Sequence, residues 1–242
     1  MNKTMLFGMA ALGLAAVGVP QAFATPTLTV SVNGGPATPV GVADLSAYLG
    51  AGTYGALPGS LDGFSWGGIL LETPTGANQF TLNLTSVSNG NLSTGTITFV
   101  ASNSISDPTA QSMQPSGGAT ASNATSFQTV DFNSSVYSST PTLLASRDSG
   151  VLGLNSPTNP TFPNSSVPFN SPGANLGTFS GNLTLDNTIT LSLNPAASLT
   201  GGLLTDSLSN SAIPTPEPAT LALFAVGGLA LLAGARRRKN QA

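Results

Sequence analysis

The chain has 242 residues, of which 6% are charged, and it contains neither histidine nor cysteine. Those absences exclude Ser-His-Asp and Cys-His nucleophilic catalysis, ordinary zinc, copper and haem sites, and any stabilisation by disulfides. Between the two ends lie eight acidic residues and a single cation, Arg147, for a net charge near −7. With so little positive charge there is no electrostatic grip on nucleic acid and no attraction to anionic membrane surfaces.

At the start, Lys3 is the only charge before an apolar stretch from Met5 to Val19, which Pro20 ends. Ala22 and Ala24 flank Phe23 and put small residues at both recognition positions of a signal peptidase site. Residues 1–24 therefore read as a secretory signal peptide cleaved after Ala24.

The body, residues 25–197, has the length of one domain with its own core. Leu28, Val30 and Val32 alternate with Thr29 and Ser31; Phe80, Leu82 and Leu84 alternate with Thr81 and Asn83; Ile97 and Phe99 alternate with Thr96 and Thr98. A period of two with threonine on the other face predicts half-buried antiparallel strands. Val42–Leu49 has apolar spacing that permits one or two turns of helix. Asn33-Gly34, Asn89-Gly90 and Asp186-Asn187 have turn chemistry. They predict one hairpin of Phe80–Val87 with Leu92–Val100 and a second of Leu183–Leu185 with Thr188–Leu193. Further strands are expected at Gly67–Leu71, Phe127–Phe132, Thr142–Ala145 and Leu176–Ser180. Residues 102–125 and 155–175 read as long loops, and residues 198–215 as a stalk. Many short strands with turn signals between them predict an all-β fold, a two-sheet antiparallel β-sandwich of jelly-roll-like type.

The C-terminal segment has three parts in order. Pro216-Glu217-Pro218 precedes an uncharged apolar run from Ala219 to Ala235, and Arg236, Arg237, Arg238 and Lys239 follow. As a helix the run is about 26 Å long, near the lower limit for a hydrocarbon core of about 30 Å. The cation cluster keeps its own end on the cytoplasmic side, so the body lies outside. This arrangement resembles the PEP-CTERM sorting signal, spanning residues 216–239. The resemblance implies a Gram-negative exported protein held transiently in the inner membrane by a transmembrane sorting helix. An exosortase would then cleave it near Pro216-Glu217-Pro218 and release it to the cell surface or the extracellular space. It implies no activity for the body.

Four candidate chemistries remain within the body. Asp148-Ser149-Gly150 resembles the active-site triplet of aspartic proteases, but it occurs once, and its residue types suit a turn. Asp44, Asp62, Glu72, Asp107, Asp131, Asp148, Asp186 and Asp206 could supply a glycosidase pair or oxygen ligands for Ca²⁺, although no EF-hand pattern is present. Trp66, the only tryptophan, follows Asp62-Gly63 and precedes Gly67-Gly68. It could stack on a sugar ring from a glycine-rich loop, or plug the core, and the core is the preferred reading. The expected function is that of a non-enzymatic exported protein of the surface or matrix, associated with exopolysaccharide or biofilm. A carboxylate-dependent glycan hydrolase and a self-assembling adhesin are the alternatives. Signal peptidase, an exosortase and extracellular polysaccharide are the expected partners, with no nucleic acid and no cofactor beyond candidate Ca²⁺.

Overall fold

The computed structural model describes residues 25–49, 51–73, 79–105, 110–121, 128–154, 165–179 and 181–209. The expected signal peptide, with Ala22 and Ala24, and the sorting segment, with Pro216, Glu217, Pro218, Arg236, Arg237 and Arg238, lie outside these residues. Asp107 does too. No helix among the described residues is long and apolar enough to cross a membrane.

In chain order the elements are β1 (Thr27–Val32), β2 (Thr38–Val40), β3 (Val42–Asp44), α1 (Ser46–Leu49), β4 (Thr53–Ala56), β5 (Gly59–Leu61), β6 (Phe64–Trp66), β7 (Ile69–Glu72), β8 (Gln79–Leu84) and β9 (Val87–Asn89). There follow β10 (Gly95–Ile105), β11 (Ser112–Ala121), β12 (Thr129–Ser138), β13 (Leu143–Asp148), β14 (Leu152–Gly153), β15 (Ser165–Asn170), β16 (Ala174–Asn175), β17 (Leu183–Leu193) and β18 (Ser198–Ser209). Among the described residues the front sheet runs β13-β12-β17-β10-β1-β2, with β14 beside β12. The back sheet centres on β18, which pairs with β11 on one side and with β8 and β9 on the other. All pairings are antiparallel, and the chain repeatedly crosses from one sheet to the other, as in a jelly-roll-like β-sandwich.

Alternation explains the long strands. In β10 and β17 every second residue is buried without a break, with threonine, serine, Asp186 or, once, Val100 between. The inner faces supply Phe64, Phe80, Phe99 and Phe132, all fully buried, surrounded by leucine, isoleucine and valine. Trp66 meets Phe99 edge to face, with ring centroids 5.9 Å apart.

Several sequence expectations are corrected. Asp186 and Asn187 do not turn the chain; they lie in the middle of β17, in register with Ser102 and Ala101 of β10. Asn187 points inward, and its Nδ2 donates to the carbonyls of Phe80 (2.8 Å) and Leu204 (3.3 Å) in the opposite sheet. An amide that finds carbonyls across the core is satisfied within a strand, so its turn propensity is overridden. Asn89-Gly90 joins no hairpin either, because β8 and β9 belong to the back sheet and β10 to the front. Asn89 is instead buried, donating to the carbonyls of Ser93 (3.0 Å) and Leu193 (2.8 Å). The loop expected over 102–125 contains the end of β10 and all of β11, and the loop over 155–175 contains β15 and β16. No strand forms over Leu176–Phe179, where one was expected. The helical spacing of Val42–Leu49 yields a strand, β3, and the single turn α1.

The largest correction concerns residues 198–215. They are not a stalk from the start, because 198–209 form β18, the strand that carries Leu199, Leu204 and Leu208 into the core. Gly201-Gly202 and Asp206 hide its alternation in the sequence. Asp206 is buried because Ser134 of β12 donates a 2.8 Å hydrogen bond to its Oδ2 from across the sandwich.

Candidate functional site

Among the described residues, candidate ligand regions include a cleft at one edge of the sandwich and the outer face of the front sheet. The first lies where the sheets part at one edge. The inner face of β2 presents Thr38 and Val40, in register with Val30 and Leu28 of β1. Opposite them stands the β5–β6 hairpin, where Gly59 pairs with Trp66 and Leu61 with Phe64. Asp62 (φ 45°) and Gly63 (φ 80°) make its two-residue turn, with both residues in the left-handed region that such a hairpin needs. Asp-Gly between alternating apolar residues is a readable hairpin signal that the sequence reading did not use. Between β2 and the hairpin is a cleft of about 280 Å³, lined by Val30, Val40, Leu61 and Trp66, with Thr38 and Ser60 as the polar side chains.

Trp66 is therefore on a strand and not on a loop. Its ring is 8% exposed, and it both packs on the core and closes the cleft. Gly59 is required there, since a Cβ at that position would lie 2.5 Å from Cζ2 of the indole. The indole Nε1 is buried and has no hydrogen-bond partner among the described residues.

The second region is the outer face of the front sheet. Strand register places Thr98, Thr190 and Asp131 in one row and Val100, Thr188, Asn133 and Asp148 in the next. Ser102, Asp186, Ser135 and Ser146 form a third. The hydroxyls of Thr98 and Thr190 are 3.2 Å apart, and those of Ser135 and Ser146 are 2.9 Å apart. Neighbouring strands lie about 4.8 Å apart and alternate residues about 6.8 Å apart along a strand, so the face is a lattice of hydroxyl, amide and carboxyl groups interrupted by Val100.

Within this lattice the structure brings Asp131 and Asp148 together. Partial burial, and then hydrogen bonding and repulsion between the two carboxylates, push Asp131 above the usual carboxylate range. Ser149 opposes the shift, donating from Oγ to Asp131 Oδ1 at 3.2 Å. The triplet Asp148-Ser149-Gly150 is a turn. Gly150 N–H donates to Asp148 Oδ1 at 2.6 Å, and Ser149 Oγ accepts from the N–H of Phe132 at 2.9 Å. Burial also raises Asp186, against a hydrogen bond from Ser102. The remaining described acids do not converge: Asp44 caps Ser46, Asp62 is in the hairpin turn, Glu72 is in β7, and Asp206 is in the core. No group of three or more acidic side chains forms a metal cluster among the described residues.

The last described residue is Ser209, and four residues separate it from Pro214. Residues 214–239 match the PEP-CTERM protein-sorting motif. The motif implies an exported protein that an exosortase sorts. It extends from just after β18 and covers the tail alone, so the sandwich has no family assigned by it. No curated protein matches the chain. Solved structures similar to it include TmCBM61 in complex with beta-1,4-galactotriose, at 10% identity and TM-score 0.30, over 55% of this chain and 71% of that one. Infectious bursal disease virus Gx strain is similar at 14% identity and TM-score 0.37, over 86% of this chain and 54% of the viral one. Bacteriophage CBA120 tailspike protein 4 is similar at 13% identity and TM-score 0.29, over 75% of this chain and 19% of that one. The chain thus spans about half the length of the viral chain and a fifth of the tailspike.

Proposed function

We propose that this is a non-enzymatic protein of the cell surface or extracellular matrix that associates with neutral exopolysaccharide through the outer face of its front sheet. The observation that carries this reading is the sorting motif beginning five residues after the last strand of a sandwich whose front face is mostly polar and nearly free of cations. Hydroxyl and amide groups at strand spacing form hydrogen bonds with sugar hydroxyls, while an excess of carboxylates repels anionic polymers. Signal peptidase would remove residues 1–24, and the exosortase would act near Pro216-Glu217-Pro218.

The test is retention of the mature protein on polysaccharide from the cells that make it, at low and high salt and with EDTA. Salt-resistant retention that falls at least fivefold in the double variant T98A/T190A is the expected result. Equal retention by wild type and variant would overturn the assignment to this face. Retention lost only with EDTA would move the contact to Ca²⁺ held by the acidic residues.

One observation favours the hydrolase reading, the contact between Asp131 and Asp148 with its raised carboxyl. Release of reducing ends from the same polysaccharide, abolished by Asp131→Asn, would replace the binding reading with that one.

A further inference from the structure

We infer that the cleft at Trp66 is a binding site for a small acyl group, an acetyl ester or amide, carried on a neutral glycan. The carrier rests on the polysaccharide reading; the acyl specificity rests on the cleft alone.

At about 280 Å³ the cleft is below the usual range for a drug-sized ligand, so it suits a substituent better than a run of sugar rings. Its walls are the side chains of Val30, Val40, Leu61 and Trp66. A sugar ring would bring several hydroxyls, each needing a partner, whereas the polar side chains of the lining are Thr38, Ser60 and Trp66. An acyl group makes smaller demands, because its methyl needs only apolar contact and its carbonyl needs only a donor.

A donor is in place. Trp66 is more than nine-tenths buried, and its Nε1 has no acceptor among the described residues. Indole nitrogen can only donate, so what it lacks is an oxygen such as a carbonyl. The nitrogen lies just behind Gly59, where an added Cβ would be 3.1 Å from it. Gly59 belongs to β5, which pairs with β6 alone among the described residues. Trp66 itself lines the cleft, and Gly59 of the edge strand β5 packs against its indole, so a small outward shift of β5 would bare the N–H to a carbonyl.

The chain has one tryptophan, so its indole N–H gives a single resonance and reports on this site directly. The experiment titrates the ¹⁵N-labelled mature protein with methyl acetate and, separately, with methyl β-glucoside. The expected result is a saturable downfield shift of the indole proton with methyl acetate in the millimolar range, and none with the glucoside. Val40→Phe, which fills the cleft, should weaken the methyl acetate response at least tenfold while the spectrum stays dispersed; Leu61→Phe serves if the first variant fails to fold. No response to methyl acetate, an equal response to the glucoside, or an unchanged response in a folded cleft-filling variant would each overturn the inference. Polysaccharide retention is measured in parallel on native and deacetylated polymer. Loss of the indole response with retention intact overturns the acyl site alone, and loss of retention with the indole response intact overturns the front-face reading alone.

Discussion

Asp206 is the residue whose placement has the clearest energetic consequence. It is fully buried, and burial pushes its carboxyl up to about 6, against hydrogen bonds from Ser134 and from the backbone of Ser207 and Gln114. Its Oδ1 and the Oδ1 of Asn187 both lack a donor among the described residues. A proton on Asp206 lowers the cost of burying the carboxyl and turns an unpaired acceptor into a donor. Because the folded value exceeds the unfolded one, the stabilisation is fully present below about pH 4 and is lost as pH rises through about 6. At one pKa unit per 1.36 kcal/mol, the swing is roughly 3 kcal/mol. Asp131 and Asp186 are raised as well and tilt stability in the same direction. Asp206→Asn isolates the buried group, since it removes the ionisation and keeps an oxygen for Ser134. We predict that the variant melts higher than wild type at pH 8, and that its stability changes less between pH 5 and 8. An unchanged pH slope in urea titrations would assign the dependence to the other two acids.

The strands, as elements, hold two further expectations. β18 is bonded along both sides and buries Leu199, Leu204 and Leu208. Each such side chain contributes about 1.5–3 kcal/mol, against a total of about 5–15 for a domain. A chain ending after Ala197 should therefore lack cooperative unfolding and give collapsed amide dispersion. A chain ending after Ser209 should melt within a few degrees of the mature protein. Equal folding of both would restore the stalk reading. The β5–β6 turn is the second case. Gly63 has φ 80°, and a Cβ there would run into the Asn91 amide, whose Nδ2 donates to the Asp62 carbonyl at 2.8 Å. Gly63→Ala should cost about 1 kcal/mol or more and lower Tm by at least about 2–4 °C. The same change at Gly34 has space for its Cβ, despite a φ of 71°, and should cost less.

For the whole molecule, charge distribution decides the partner class. With one cation between residues 25 and 212, the sandwich has a repulsive field for other polyanions. Mature protein should show no retention on duplex DNA or on an anionic polysaccharide at low salt, and its retention on neutral polymer should not fall as salt rises. A steep salt dependence on neutral polymer would mean that charge, and not hydrogen bonding, drives association. Folding relies on pairings between distant segments, such as β1 with β10 and β10 with β17, so refolding should be slow for the chain's size.

The class of fold was legible in the sequence, because alternation in Thr27–Val32, Gln79–Leu84 and Gly95–Ile105 is a local pattern that any half-buried strand must have. The sorting motif was legible for a similar reason, since its parts act through their order along the chain. Strand lengths and partners were not. Asn89, Asn187 and Asp206 have the residue types of turns, and only hydrogen bonds from the facing sheet or a distant carbonyl make their burial tolerable. The candidate sites divide in the same way. Trp66 could be singled out as one tryptophan among glycines, but the cleft exists because β2 and β5, 19 residues apart at their nearest ends, meet at an open edge. The pairing of Asp131 with Asp148 likewise depends on the register of β12 against β13. By itself the sequence determined that this is an exported, histidine- and cysteine-free β protein with an acidic body, because composition, period and targeting signals are properties of the chain. The tertiary structure alone decided which polar groups are buried, that β18 belongs to the sandwich and which side chains come together, because each depends on contacts between residues the chain holds far apart.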